Sequence, residues 1–275
     1  MKYNLNDMCN MNEFENVNER VTEQSGNLYE YEEETKKLIQ GLSRYKKSNV
    51  LLIGKAGVGK TALVENLARK INAGDVPDNL KSKQIFELSL NNSIAGTRYR
   101  GDFEEKIQYM LECMKDNKDN IIIFVDEIHN IMSFGRSRDN GTISLDEILK
   151  PFLARNDITM IGATTIKEYN KYIKGNAAFD RRFCKLKVNE PKKSTVIEIL
   201  KKSKSSYEKH YGIHLDDADL IRVVIKSKRR RGSFPDKAFD ELEDYCYYLQ
   251  KNKIDLNNLI TNNKKKGVIN NAKEK

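Results

Sequence analysis

The sequence has little of the chemistry that metal centres and disulfide frameworks require. Its four cysteines are widely scattered: Cys9, Cys113, Cys184 and Cys246. No CxxC pair or Cys/His cluster occurs, and His210 and His214, four residues apart, have no third ligand nearby. We therefore expect reduced thiols and no zinc site.

Long apolar runs are also lacking. The longest strongly apolar run, Ile121 to Val125, is far too short to cross a bilayer. The first twenty residues are polar and acidic, without the basic start and apolar middle of a signal peptide. A charged fraction of 32% is typical of a soluble protein. We expect a cytoplasmic protein that has no membrane partner.

The positive charge is unevenly distributed along the chain. The net charge is +9, but acidic residues dominate 1–35, and lysines dominate 251–275. A basic surplus can attract nucleic acid or an acidic partner, although charge runs usually form solvated faces. The Asn/Glu-rich segment 1–27 and the Lys/Asn-rich segment 251–275 are both typical of flexible tails.

The middle of the chain alternates short apolar runs with helical patterns. The runs that favour β-strands are Val50–Ile53, Gln84–Leu88, Ile121–Val125, Thr159–Ala163 and Cys184–Val188. Alternation of this kind predicts an α/β fold, a doubly wound parallel sheet covered on both faces, over residues 28–191. After Pro191 the helical patterns Val196–Tyr211, Ala218–Lys226 and Asp236–Leu249 predict a small helical lid domain over 192–250.

A glycine-rich segment follows the first apolar run and precedes an amphipathic helical pattern. It reads Gly-Lys-Ala-Gly-Val-Gly-Lys-Thr over residues 54–61, which we call the phosphate loop. Backbone N–H groups of such a loop converge on phosphate oxygens, so we expect ATP and Mg²⁺ here. Lys60 should neutralise the β and γ phosphates, and Thr61 should ligate Mg²⁺. The residues expected to bind the nucleotide are Gly54, Ala56, Gly57, Val58, Gly59, Lys60, Thr61 and Ala62.

Two acids end the run Ile121–Val125, where the carboxyl edge of a parallel sheet collects ligands. Asp126 is placed to hold Mg²⁺, directly or through water, and Glu127 to polarise the attacking water. An isolated Asp-Glu pair is commonly just solvated. The preceding apolar strand and the upstream phosphate loop favour the catalytic interpretation.

Two further pairs of polar residues are candidates for contacts with phosphate. Thr164 and Thr165 follow an apolar run and could hydrogen-bond the γ-phosphate or the lytic water, although alone they indicate only a turn. Arg181 and Arg182 could contact a phosphate bidentately, although alone they would favour surface salt bridges.

Taken together, these motifs resemble the first ATPase domain of the Clp-type AAA+ proteins, ring-forming unfoldases and disaggregases that thread polypeptides through a central pore. The resemblance runs from about Leu38 to Leu249. Its landmarks include the phosphate loop, Gly74–Pro77, Ala95–Glu104, Asp126–His129, Leu149–Pro151, Gly162–Thr165, Arg181–Phe183 and Pro235–Ala238.

The resemblance implies roles for further residues. Thr165 is expected to sense the γ-phosphate, and Arg181 and Arg182 to act as arginine fingers on the nucleotide of a neighbouring subunit in a hexameric homo-oligomer. Hydrolysis would then accelerate on assembly. The lid residues Pro235 and Asp236 are expected at the nucleotide site.

A loop flanked by glycines matches the pore loop of the family. In it, Tyr99 between Arg98 and Arg100 would grip an unfolded or misfolded protein substrate by apolar contact. A tyrosine between arginines could also stack on nucleic-acid bases. The substrate and the partner therefore stay open at this stage.

The chain also departs from the family pattern. Leu28-Tyr29-Glu30-Tyr31 stands where a Val-Ile-Gly-Arg element of the family packs on adenine, so either a tyrosine could stack on the base instead or adenine binding could be weakened. The basic segment Lys226–Gly232 replaces a Tyr-Ile stretch of the lid and could form a binding surface. We expect a motor that unfolds or remodels proteins, with a peptidase or full-length Clp protein as a possible partner. A nucleic-acid loader or remodeller, and a regulatory subunit of a full-length Clp ring, are the alternatives.

Overall fold

The computed structural model of the protein describes residues 11–23, 31–89, 100–132 and 145–252. The chain divides into two compact units, with the boundary between Glu190 and Pro191. The first unit holds a six-stranded sheet and the helices around it, and the second unit is helical.

The first unit is built of strands and helices that alternate along most of its length. Its strands are β1 (Phe14–Asn16), β2 (Asn49–Ile53), β3 (Gln84–Leu88), β4 (Ile121–Val125), β5 (Met160–Thr164) and β6 (Phe183–Lys187). Its described α-helices are α1 (Val17–Glu23), α2 (Glu32–Leu42), α3 (Lys60–Asn72), α4 (Asp78–Lys81), α5 (Arg100–Asp116), α6 (Leu145–Ala154), α7 (Ile166–Glu168) and α8 (Ala177–Asp180). A 3₁₀ helix spans Ile128–Met132, and a π-helical turn spans Tyr169–Ile173.

The sheet has the strand order β1-β3-β4-β5-β2-β6, and all neighbours are parallel except β1 and β3. Every residue of β2, β4 and β5 is buried, as expected for strands that are covered on both faces. One face packs on α5 and α6 through side chains such as Met110 and Leu149. The other packs on α2 and α3 through side chains such as Leu38 and Leu67. The expected doubly wound sheet is confirmed.

The segment 14–23 is ordered, so the expectation of a flexible tail over 1–27 is wrong for these residues. Val17 is fully buried, and β1 pairs with β3 at the edge of the sheet. The Asn18 side chain accepts a hydrogen bond from the Ile85 amide at 2.7 Å and donates one to Asn72 at 2.7 Å. Asparagine therefore contributes tertiary contacts here, although composition alone associates it with disorder.

The second unit contains three long helices: α9 (Lys193–Tyr211), α10 (Asp217–Lys226) and α11 (236–252). Their apolar faces enclose a separate core that includes Val196, Leu200, Leu220, Val224 and Leu242. A capping box between Asp216 and Asp219 begins α10. The helical lid is therefore confirmed, with α9 beginning three residues before the apolar pattern indicated.

The basic segment Lys226–Gly232 takes part in the packing of this unit. The Glu241 carboxylate is buried; it forms an ion pair with Lys226 at 2.7 Å and accepts a hydrogen bond from Arg230 Nε at 2.6 Å. Arg230 also pairs with Asp244. Burial by itself raises the pKa of Glu241, but Lys226 and Arg230 lower it overall. Two of the cations in this segment thus hold the 3₁₀ helix Ser227–Arg229 against α11.

Within the described residues, no helix is both long enough and apolar enough to span a bilayer. In the same part of the chain, no group of three or more His, Cys, Asp or Glu side chains is arranged to hold a metal ion.

Candidate functional site

The sheet brings three chain segments to one edge. Strands β4, β5 and β2 are neighbours and parallel, so the residues that follow them meet at their carboxyl ends. Ile53 pairs with Thr164, and the Gly54 amide donates to the Thr164 carbonyl at 3.2 Å. The phosphate loop, the Asp126–Glu127 pair and the Thr164–Thr165 pair therefore lie at the same edge.

The phosphate loop adopts a conformation that needs glycine at specific positions. Gly57 has a φ of +74°, and Gly59, which precedes α3, has a φ of +88°; both values lie in the left-handed region. Gly54 is required for space, since a Cβ there would lie 2.5 Å from the Val188 carbonyl oxygen. The loop leads directly into the N-terminus of α3, whose first amides have no acceptor within the helix and so suit the binding of an anion.

Lys60, the first residue of α3, folds back over the loop. Its Nζ donates to the Lys55 carbonyl at 3.0 Å and to the Gly54 carbonyl at 3.3 Å. Burial lowers the pKa of Lys60, while the charges of Asp126, Glu168 and Glu127 raise it in part. The Lys60 amino group therefore lies over the loop and interacts electrostatically with all three acids.

The two residues expected to hold Mg²⁺ are in contact. The Thr61 hydroxyl donates to Asp126 Oδ2 at 3.2 Å, and Asp126 Oδ1 accepts from the Glu127 amide at 2.9 Å. Hydroxyl and carboxylate oxygens are ligands that Mg²⁺ accepts, and both side chains are accessible to solvent, so the pair fits that ion. Glu127 itself has a φ of +47°, in the left-handed region that a non-glycine residue adopts at an energetic cost.

The two threonines after β5 have different surroundings. Thr164 is buried, and its hydroxyl lies 3.2 Å from His129 Nδ1. Thr165 caps α7 in a capping box with Glu168, whose carboxylate also accepts from the Thr165 hydroxyl. This hydrogen bond lowers the pKa of Glu168, against the effect of burial. The Thr165 hydroxyl is therefore engaged by Glu168.

A 3₁₀ helix directly after the Asp126–Glu127 pair packs closely on β5. A Cβ added at Gly162 would lie 2.4 Å from Ile128 Cδ1. The ring of His129, in the same helix, stacks on Tyr172 at 5.7 Å between ring centroids. The segment that follows the acids thus contacts β5 through the side chains of Ile128 and His129, in addition to the pairing of β4 with β5.

The arginine pair lies at the amino ends of the parallel strands β2 and β6, opposite the carboxyl ends that carry the phosphate loop. Arg181 follows α8, and Arg182 precedes β6, whose first residue pairs with Asn49 at the start of β2. Asn49 Nδ2 donates to the Arg182 carbonyl at 3.5 Å. Arg182 Nε is buried and has no hydrogen-bond partner among the described residues. The structure therefore does not bring these arginines to the phosphate loop of their own chain.

The other expected site residues belong to the second unit or to the segment around residue 99. Pro235 is buried and Asp236 is exposed; both lie in the second unit, at the start of α11. Arg98 and Tyr99 fall outside the described residues, and Arg100 begins α5.

Two residues of the site were missed by the sequence interpretation. Glu168 had a recognisable signal, the Thr-x-x-Glu spacing of a capping box that starts at Thr165. The contact of His129 with Thr164 had none, because the two residues are 35 positions apart.

Two family models match consecutive parts of the chain. The model described as "ATPase family associated with various cellular activities (AAA)" matches residues 50–185, and that for the AAA lid domain matches residues 192–274. Together they cover both units of the structure.

Curated relatives and solved structures agree with these matches. The chain is 43% identical over 213 residues to the chaperone protein ClpB of Mycoplasma genitalium, covering 77% of this chain and 30% of that protein. It is 42% identical over 215 residues to ClpB of Corynebacterium diphtheriae, covering 78% of this chain and 25% of that one. It superposes on Hsp104 in a closed state with ATPγS and FITC casein at a TM-score of 0.78 and 35% identity, covering 86% of this chain and 40% of that chain. The Saccharomyces cerevisiae Hsp104–ADP complex gives a TM-score of 0.78 and 34% identity, covering 87% of this chain and 41% of that chain.

The chain thus spans less than a third of the length of these ClpB relatives and about two fifths of the Hsp104 chains. The similarity is to protein chaperones, and it gives no support to the nucleic-acid alternative.

Proposed function

Because this chain belongs to the AAA ATPase family and is of the Clp type, we propose that it hydrolyses ATP and uses the energy to unfold or remodel proteins. The observation that carries the proposal is the contact between the Thr61 hydroxyl and the Asp126 carboxylate, beside Lys60 and Glu127. These four side chains come from two segments more than sixty residues apart, and they supply the contacts to phosphate, Mg²⁺ and water that phosphoryl transfer needs within one chain.

Each of these side chains has a separate task in hydrolysis. The loop amides and Lys60 bind and orient the phosphates, and Thr61 and Asp126 would hold Mg²⁺, which supplies charge neutralisation when bound. Glu127 orients and polarises the attacking water as a general base. Its backbone is fixed at both sides, since its amide donates to Asp126 and its carbonyl accepts from the Asn130 amide at 2.9 Å.

The site assignment is tested by replacing the base without touching the phosphate contacts. We expect Glu127→Gln to abolish ATP turnover and to retain ATP binding, because a water-orienting group is lost while the phosphate loop stays intact. Lys60→Ala should instead weaken nucleotide binding. Glu33→Gln, at an exposed position of α2, is the matched control and should behave like the unaltered protein. Unchanged turnover in Glu127→Gln would refute the assignment.

The position of the arginines supports a shared active site. Arg181 and Arg182 lie at the far edge of the sheet from the phosphate loop, so we propose that they act on the nucleotide of a neighbouring subunit in a hexameric ring. An arginine supplied in this way stabilises charge on the transferring phosphoryl group.

We further propose that Tyr99 grips the unfolded protein substrate, with Arg98 and Arg100 beside it. The support is the Gly-x-x-Tyr-Arg-Gly-x-Phe-Glu string together with the similarity to Hsp104 bound to casein. Tyr99→Ala should lose stimulation of the ATPase rate by a denatured protein and should keep the basal rate. A variant that is still stimulated normally would contradict the role of Tyr99.

A further inference from the structure

Tyr31 occupies an unexpected position for a residue of the adenine-side element. It directly precedes α2, and its side chain is only 4% exposed, within the core on one face of the sheet. An aromatic ring enclosed in this way is fixed by the packing around it. The suggestion that a tyrosine of this element stacks on the base therefore does not describe Tyr31.

The Tyr31 side chain lies directly behind the phosphate loop. Its hydroxyl donates a hydrogen bond to the Val58 carbonyl at 2.7 Å, and both groups are buried. A Cβ added at Gly59 would lie 2.6 Å from the hydroxyl oxygen and 3.1 Å from two ring carbons. The ring therefore packs against Gly59, and the hydroxyl holds the peptide unit that joins Val58 to Gly59.

The backbone of Tyr31 is held as firmly as its hydroxyl. Its carbonyl accepts from the Thr35 amide at 2.7 Å, which closes the first turn of α2. The Thr35 hydroxyl in turn accepts from Asn66 Nδ2 of α3 at 3.0 Å, in a buried contact. The tyrosine is thus anchored to the same helix whose first residues form the nucleotide site.

The hydrogen bond from the Tyr31 hydroxyl to the Val58 carbonyl fixes the orientation of the whole Val58–Gly59 peptide unit, because that unit is planar and trans. The carbonyl and the following N–H of such a unit point in opposite directions. When Tyr31 holds the Val58 carbonyl, it turns the Gly59 N–H to the other side of the loop. Amides on that side converge on bound phosphate.

We propose that Tyr31 is a positioning residue for the triphosphate: it orients the Val58–Gly59 peptide so that the loop amides are arranged before the nucleotide binds. This inference rests on the proposed ATPase function, since it concerns the same loop. It assigns Tyr31 to recognition of the phosphates and not of the adenine.

The test compares two variants that each disturb one buried hydrogen bond, the first just before α2 and the second within it. Tyr31→Phe removes only the hydroxyl that contacts the loop, and the retained ring keeps the core filled. Thr35→Val removes the acceptor of the Asn66 bond and leaves the loop contact in place. Binding of ATP, inorganic tripolyphosphate and adenosine is measured for both by calorimetry, with melting temperature and kcat as further readouts.

We expect Tyr31→Phe to raise the dissociation constants of ATP and tripolyphosphate together, by about three- to tenfold, as the loss of one hydrogen bond predicts. Adenosine binding should not change, KM should rise with the dissociation constant of ATP, and kcat should stay within about twofold. Thr35→Val should lower the melting temperature without weakening tripolyphosphate binding.

Three results would overturn the proposal. They are unchanged tripolyphosphate binding in Tyr31→Phe, an equal weakening in Thr35→Val, and a change confined to adenosine. Failure of the ATPase function itself would look different, because the unaltered protein would then either bind neither ATP nor tripolyphosphate or bind ATP without turning it over.

Discussion

Replacing Arg182 by alanine should slow ATP hydrolysis strongly without weakening ATP binding. The phosphate loop begins directly after the last residue of β2, whereas Arg182 lies beside the first residue, Asn49. At about 3.3 Å per residue, four steps along β2 separate the two by roughly 13 Å, more than an extended arginine spans. An arginine finger contributes about 10³- to 10⁵-fold to phosphoryl transfer, so we expect a loss of at least about 1,000-fold.

The assay mixes two inactive variants. Lys60→Ala is inactive at its own site, because its nucleotide binding is weakened, but it carries intact arginines. A double variant with alanine at Arg181 and Arg182 binds nucleotide but lacks the arginines. Random mixing in equal amounts places an intact loop beside an intact arginine pair at about a quarter of the interfaces, so about a quarter of the unaltered rate should return. The unaltered protein should also gain specific activity with concentration as rings assemble.

Two outcomes would refute this reasoning. Mixtures that stay inactive, although size-exclusion chromatography shows that the variants assemble together, would mean that the arginines do not complete a neighbouring site. A specific activity that is independent of concentration, from a protein that stays monomeric throughout, would mean that one chain is sufficient.

Three further predictions concern the lid, strand β5 and the two threonines at its end. Glu241→Ala should lower the free energy of unfolding of the lid by about 1–3 kcal/mol, between the values for surface and buried pairs. Because the pKa of Glu241 is lowered in the folded state, this contribution should be present above the unfolded pKa and lost as the pH falls through the folded one, which urea titrations at several pH values would show. Gly162→Ala should cost about 1–3 kcal/mol by thermal unfolding, while Gly175→Ala, whose Cβ meets nothing within 4 Å, should be nearly neutral. Thr165→Val should lower kcat if Thr165 senses the γ-phosphate; a loss of turnover in Thr164→Val alone, with only reduced stability in Thr165→Val, would assign that role to Thr164.

Much of the fold and half of the site follow from local patterns in the sequence. Apolar runs flanked by polar residues predict strands because a strand buried on both faces needs apolar side chains throughout, and β3 and β4 have the predicted bounds. The phosphate loop is recognisable because its glycines are required by backbone geometry within eight residues. The acids after β4 are recognisable because the strand before them is so apolar.

Other features depend on residues that are far apart in the chain. Segment 14–23 is polar enough to suggest disorder, yet β1 completes the sheet and the Asn18 amide joins strand to helix. The charged segment before Gly232 is held by a carboxylate on another helix. In both cases the polar groups are satisfied by partners that no local pattern identifies.

The sequence by itself determined the type of fold and the chemistry of the nucleotide edge, because each of those signals lies within one strand, turn or helix. Only the tertiary structure decided that Tyr31 lies behind the phosphate loop, that Glu168 engages Thr165, and that the arginines lie at the far edge. The physical reason is that hydrogen bonding and burial of a side chain depend on which elements pack together, and that packing is decided by the whole core.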